Sequence, residues 1–266
     1  MRPLPFSFSL PLPGSMRQVL TRSLAICGGA GLGLVFPWKC ELCGIEAAGL
    51  DGPFCAPCRD QLMMAAVVSR RSSCPRCALP VGPFADLHRG CARCRGRSQG
   101  FDAAMALGVY EGTTRDLCLR LKHERNAWLA TWMTDLLVEA RRADLDQLPH
   151  DTWVVPVPLH WLRRLRRGYN QAEALAHGLG RRLDLDVRKP LRRIKSTDRL
   201  ARLGVTERIK ALRGAFHARP DARLKGKTVL LVDDVLTTGA TSGAAARALK
   251  QAGARRVVVA VLARTV

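Results

Sequence analysis

The hydrophobic pattern changes period sharply toward the end of the chain. Thr228–Val232 is an unbroken run of β-branched and aliphatic residues, as expected of a strand buried on both faces in a parallel sheet. Asp233 and Asp234 follow it, and the chain then bends through Thr238 and Gly239. Strong helix formers fill Ser242–Ala252, Gly253 is placed to stop them, and Arg256–Leu262 is a second apolar run. Strand, helix and strand in that order predict a βαβ unit.

The same reading extends upstream. Met105–Tyr110 reads as a strand, Gly112 as a turn and Asp116–His123 as the start of helical periodicity. Ala127–Arg142 is a stronger helix whose Trp128, Trp132, Leu136 and Leu137 fall on one apolar face, a spacing expected of a core-packed helix rather than of a base-stacking platform. Trp153–Val157 is the next strand, stiffened and ended by Pro156 and Pro158, and Gln171–Arg182 is the helix after it. Strands alternating with helices predict an α/β fold, a parallel sheet flanked by helices, with ligands at the carboxyl ends of the strands.

Residues 37–98 break that pattern. They are loop-rich, with Gln61–Arg71 able to form a short helix. Eight of the ten cysteines form four pairs of identical spacing: Cys40/Cys43, Cys55/Cys58, Cys74/Cys77 and Cys91/Cys94. CxxC pairs at such intervals are the pattern of zinc ribbons, where four thiolates surround each metal. Sequential pairing and a crossed arrangement both satisfy it. A disulfide framework fits poorly, because a bridge within a CxxC pair is strained. A module this small builds little core, so two structural Zn²⁺ sites would supply its folding energy. Cys27 and Cys118 stand apart and read as small buried hydrophobes.

Three segments result: a partly disordered leader at 1–36, a double zinc ribbon at 37–98 and the α/β domain at 101–266. The leader holds an uncharged stretch, Ser23–Trp38, interrupted by glycines and too short to span a bilayer, so no stable membrane insertion is expected. Met16 offers a second start.

Charge adds a partner. The formal net charge of +21 falls to about +17 once two tetrathiolate zinc sites are counted. Between His160 and Lys225 stand 19 Lys or Arg against 6 Asp or Glu, a local balance of +13. That concentration predicts an anionic partner, with the arginine bias of a composition rich in Ala, Arg, Gly and Leu as the competing explanation.

The candidate chemistry lies in VLLVDDVLTTGAT, residues 229–241. A turn of small residues opening a helix offers unpaired N–H groups and the positive end of a helix dipole to a phosphate. Two carboxylates beside such a site would repel the ligand unless they hold another part of it. Ribose 5-phosphate, with a diol remote from its phosphate, resolves the conflict. No Gly-Lys-Ser/Thr follows the turn, so an ATPase reading is weak.

This run resembles the phosphoribosyl-pyrophosphate (PRPP) signature of type I phosphoribosyltransferases. The resemblance gives Asp233 and Asp234 the ribose hydroxyls, and Thr237, Thr238, Gly239, Ala240 and Thr241 the 5-phosphate. Taken with VVPVPLHWLRRLRRGYNQ at 154–171, YEG at 110–112, the four CxxC pairs and GAF at 214–216, the chain closely resembles the ComF family from Phe36 onward. These are competence-related bacterial proteins in which a zinc ribbon region precedes a phosphoribosyltransferase-like domain. The resemblance implies a pyrophosphate loop at Pro156, Val157, Pro158, Leu159 and His160, with Arg163, Arg167 and Lys122 countering pyrophosphate charge. It also implies Mg²⁺ bound with PRPP and a cytoplasmic location.

Two departures fall in a segment that resembles a flap over the acceptor: Leu200 and Ala211 stand where the family carries Gln and Asn. No residue is an evident general base, and His160 is the nearest candidate. The function implied is phosphoribosyl transfer to an undefined nitrogen acceptor, tied to DNA uptake or nucleotide metabolism. The alternative is a non-catalytic receptor for PRPP or a related nucleotide that grips single-stranded DNA and meets DNA-uptake or replication-restart proteins.

Overall fold

The computed structural model describes residues 39–46, 52–87, 90–195, 207, 210–219 and 221–266. The leader at 1–36, Cys27 and the flap position Leu200 lie outside them. Two compact units divide the chain, Met1–Cys58 and Arg59–Val266. Helix α1 (Ala56–Arg71) starts inside the second CxxC pair, earlier than the expected Gln61, because Pro57 in its first turn lacks only an N–H that would find no helical partner there.

The larger unit is an α/β domain. In chain order it contains β1 (Ala103–Val109), α2 (Gly112–Arg120), α3 (Leu129–Leu145), β2 (Trp153–Pro156), α4 (Trp161–Arg167) and α5 (Gln171–Leu183). Then follow β3 (Leu191–Arg193), β4 (Phe216–Ala218), β5 (Thr228–Leu236), α6 (Ala240–Gln251) and β6 (Arg256–Arg264). The main sheet is parallel throughout, in the order β1-β6-β5-β2, and β3 and β4 form a separate antiparallel pair.

Side-chain alternation explains why β5 and β6 read as continuous apolar runs. Val229 and Leu231 are in register with Val257 and Val259, and all four join Trp153, Val155 and the Ala245 and Leu249 side of α6 in one core. The intervening Leu230, Val232 and Val258 are as fully buried, on the opposite face of the pleat, where α3 and α5 pack against the sheet and each other. Asp135 on α3 accepts two 2.6 Å hydrogen bonds from Arg182 on α5 and joins the two helices at their rim.

Several elements differ from expectation. β5 continues past Val232 through the two aspartates to Leu236, because β6 keeps pairing with it as far as Leu236↔Arg264. Gly112 opens α2 and is not a separate turn. On α3, Leu136 and Leu137 are buried, but Trp128 and Trp132 are 45% and 36% exposed. The expected tryptophan core stripe is therefore overturned: the start of this helix buries Leu129, Ala130 and Met133 instead, and both indoles stay at the surface. α4 lies within the Arg-rich stretch and leaves Trp161 and Leu165 exposed as well.

Leu231 is fully buried at the centre of the sheet. Leu231→Ala should cost about 3 kcal/mol of unfolding free energy, measured by urea denaturation with an unchanged m-value.

Candidate functional site

A cavity of about 300 Å³ opens at the carboxyl edge of the sheet. Its walls come from the ends of three strands: Tyr110 after β1, Val157, Pro158 and Leu159 after β2, and Asp233, Asp234 and Val235 within the end of β5. Lys122, Arg167 and Arg193 bring positive charge to it, and Thr237 and Thr241 line it from the turn and first residues of α6.

Local hydrogen bonds hold each wall. The Asp233 carboxylate accepts from the Asp234 N–H at 3.0 Å, and that of Asp234 accepts from the Val235 N–H at 2.8 Å. Gly239 turns the chain with φ +79° and caps α6; a side chain there would be strained and would press on Gln99. Asn170 caps α5 by accepting from the Ala172 N–H at 3.2 Å, while its Nδ2 donates to the Val157 carbonyl at 3.1 Å. One helix cap therefore also fixes the proline-bearing loop.

Ionisation is disfavoured where water is scarce. Burial, with the neighbouring Asp234 charge, pushes Asp233 well above the usual carboxylate range. Burial and the same Asp234 charge push the Tyr169 phenol up to about 12. The Cys118 thiol, fully buried as expected, is also pushed up to about 12 by burial and Asp234, with Lys122 opposing. A cationic or proton-donating group placed between the aspartates would relieve this crowding.

The cysteines resolve into two sequential clusters, Cys40/Cys43/Cys55/Cys58 and Cys74/Cys77/Cys91/Cys94, with the sulfurs of each within 4.8 Å of one another. Pairing is thus sequential and not crossed. Cys43 and Cys55 sulfurs lie 3.7 Å apart, and those of Cys77 and Cys91 3.6 Å, against roughly 3.8 Å for the edge of a tetrahedron with 2.3 Å Zn–S bonds. Each cluster repeats one device: the Cys55 N–H donates to Cys40 Sγ at 3.4 Å, and the Cys91 N–H to Cys74 Sγ at 3.3 Å. Burial raises the Cys40 pKa, but backbone donors at Cys43 and Cys55 outweigh it and bring that thiol down to about 6. Soft donors at this spacing could hold zinc.

The expected site residues separate into groups. Asp233, Asp234, Thr237, Thr241, Val157, Pro158, Leu159, Arg167 and Lys122 converge on one cavity. Thr238 and Gly239 line an adjoining cavity of about 640 Å³ on the side of the second cysteine cluster, which Thr237 also borders. Ala240 is buried, and Pro156 is the last residue of β2. His160 is 5% exposed and packs against Trp161 away from the cavity walls, which disfavours a base role. The Arg163 side chain lies outside the described residues. Arg193 and Tyr110 were missed as site residues. Arg193 comes from the short β3 and stacks over Phe216; nothing in its local sequence separates it from the other arginines.

Together, a parallel sheet with an acidic strand end, an anion-type turn and two four-cysteine clusters define a phosphoribosyltransferase-type α/β domain with a double zinc ribbon. The family model for the phosphoribosyl transferase domain matches residues 165–265. DNA utilization protein YhgH of Salmonella typhimurium is 32% identical over 240 residues, covering 87% of this chain and 99% of that protein. Competence protein F of Haemophilus influenzae is 28% identical over 235 residues, covering 86% and 98%. Competence protein ComFC of Streptococcus pneumoniae is 31% identical over 153 residues, covering 57% and 64%. The chain belongs to the ComF family. Among the described residues, no helix is long and apolar enough to cross a membrane.

The raised Asp233 pKa has a stability consequence. The folded chain keeps a proton that the unfolded chain releases above the ordinary carboxylate pKa, so this group's contribution is full below about pH 4 and is lost as pH rises. Asp233→Asn should raise the melting temperature of the ligand-free protein at neutral pH. The gain should vanish as pH falls through about 4, followed by calorimetry across a pH series.

Proposed function

We propose that the carboxyl-edge cavity receives PRPP, and that the protein is a ComF-type phosphoribosyltransferase-domain protein serving DNA uptake or nucleotide metabolism in the cytoplasm. One observation carries this reading: the acidic pair and the threonine turn face one cavity of a size suited to a phosphorylated sugar. Asp233 and Asp234 accept from the ribose hydroxyls. Thr237, Thr241 and the backbone of 237–241 receive the 5-phosphate at the start of α6. Val157, Pro158 and Leu159 face pyrophosphate, and Lys122, Arg167 and Arg193 balance its charge.

Carboxylate oxygens suit Mg²⁺, which would neutralise pyrophosphate and relieve the crowding at Asp233. The chain's contribution to transfer is then orientation of the anomeric carbon toward a nitrogen nucleophile and stabilisation of departing charge. The four-cysteine clusters hold structural zinc.

Isothermal calorimetry with PRPP and Mg²⁺ tests the reading. Asp233→Asn/Asp234→Asn should weaken binding about 100-fold or more, since two charge-assisted hydrogen bonds are replaced by neutral ones. No heat from the wild type would reject it. Release of pyrophosphate on adding a panel of bases and amines would then separate a transferase from a receptor.

A second reading has its own observation. Trp128, Trp132, Trp161 and Leu165 are exposed, and the last two share a helix with several arginines. Exposed indoles beside cations suit base stacking along single-stranded DNA, in keeping with relatives named for competence and DNA utilization. Single-strand affinity should fall steeply with salt, and Trp161→Ala should weaken it about tenfold. A flat salt response in a fluorescence titration would remove this reading.

A further inference from the structure

Arg264 and Gln99 join the second cysteine cluster to the turn that ends β5. Arg264 closes β6 and is 2% exposed. Its Nε donates to the Cys77 carbonyl at 2.9 Å. Its Nη1, with two N–H bonds to share, lies within reach of three carbonyls, those of Leu236 at 2.9 Å, Thr265 at 2.5 Å and Thr237. Gln99 forms the other link, with Nε2 donating to Cys94 Sγ at 3.8 Å. The Gln99 Oε1 lies 3.3 Å from where a Cβ on Gly239 would stand, and its carbonyl 2.2 Å from the corresponding point on Gly243. Cys77 is thus tied to the turn through the Arg264 side chain, and Cys94 bonds Gln99, which lies close against Gly239 and Gly243.

The charge arrangement is specific. The ionisable groups that bear most on Arg264 are Cys77, Cys91 and Arg93. A buried guanidinium needs compensation, and carbonyl dipoles supply only part of it. Four thiolates around one divalent cation carry a formal −2, which places the counter-charge on the Cys77 side. Backbone geometry gives this a consequence at the turn. In a trans peptide the C=O and N–H point opposite ways. The Leu236 carbonyl accepts from the Thr265 N–H at 3.1 Å as well as from Arg264, and with it and the Thr237 carbonyl turned toward the guanidinium, the N–H groups of Thr237 and Thr238 point away from it.

We propose that Arg264 is a positioning residue. Backed by a metal-filled cluster at Cys74, Cys77, Cys91 and Cys94, it holds two carbonyls of the turn on its own side and so presents the Thr237 and Thr238 N–H groups to an anion. Gln99 reinforces the same turn from Cys94. The inference rests on the phosphate role proposed for the turn.

The test uses the full-length zinc-loaded protein, with amide hydrogen exchange read over 236–243 and over 257–261 of β6 as an internal reference. Calorimetry with PRPP and Mg²⁺ runs in parallel. Arg264→Met and Cys94→Ser should each raise exchange in the turn about tenfold while the reference stays protected, and should weaken PRPP binding about tenfold. Gln99→Ala should do the same to a smaller degree, and Arg264→Lys, which keeps charge and donors, should recover part of the affinity. Unchanged exchange in the turn, or an equal rise across the reference strand, overturns the proposal. Should Arg264→Met fail to fold, Cys94→Ser and Gln99→Ala decide. A wild type that takes no PRPP, with exchange following the expected pattern, sinks the PRPP reading and leaves the positioning role standing. PRPP bound equally by every variant does the reverse.

Discussion

Continuous pairing between β5 and β6 is the constraint on which the rest of the site depends. The ladder runs from Thr228↔Arg256 to Leu236↔Arg264, so the chain is not released where its apolar run ends at Val232. Asp233 and Asp234 therefore lie within the strand and are half-buried. The pleat sends them in different directions while keeping their charges close. Their mutual repulsion and partial burial then shape the acidity around them, from the raised Asp233 to Tyr169 and Cys118. Asp233 meets that crowding by holding its proton to higher pH than an ordinary carboxylate.

The same pairing sets the depth at which the turn begins. Because β5 ends opposite Arg264, the Leu236 carbonyl at its end accepts from that guanidinium as well as from the Thr265 N–H, and α6 starts almost at once at Ala240. The opposite wall is fixed by different means. β2 is short and ends at Pro156, and the loop beyond it is steadied by Asn170 at the start of α5. Two walls held independently, one by a strand ladder and one by a helix cap, leave a cavity whose width a ligand would not have to create. Preorganisation of this kind lowers the entropic cost of binding.

The cysteine clusters extend the argument beyond the sheet. Both use backbone N–H donors to a thiolate at nearly the same distance, as expected of repeated units with one folding solution. The second cluster also touches the α/β domain directly: the Ala104 N–H donates to the Pro75 carbonyl at 3.1 Å, and Arg264 reaches Cys77. A metal filling that cluster would therefore be coupled to the sheet beside it.

Much of this was legible in the chain itself. Hydrophobic period separates β5, α6 and β6, and CxxC spacing marks eight ligand candidates, because both are local properties that survive without knowledge of neighbours. The acidic pair and threonine turn could likewise be recognised from a few adjacent residues. Tertiary structure decided what depends on distant partners. It lengthened β5, because strand ends are set by the ladder and not by composition. It left Trp128 and Trp132 exposed, because apolar spacing shows that a face exists but not whether anything covers it. It paired the cysteines sequentially, brought Arg193 to the cavity from a separate two-stranded sheet and set Arg264 behind the turn. Each of those outcomes is a contact between segments far apart in the chain, and no periodicity within either segment encodes it.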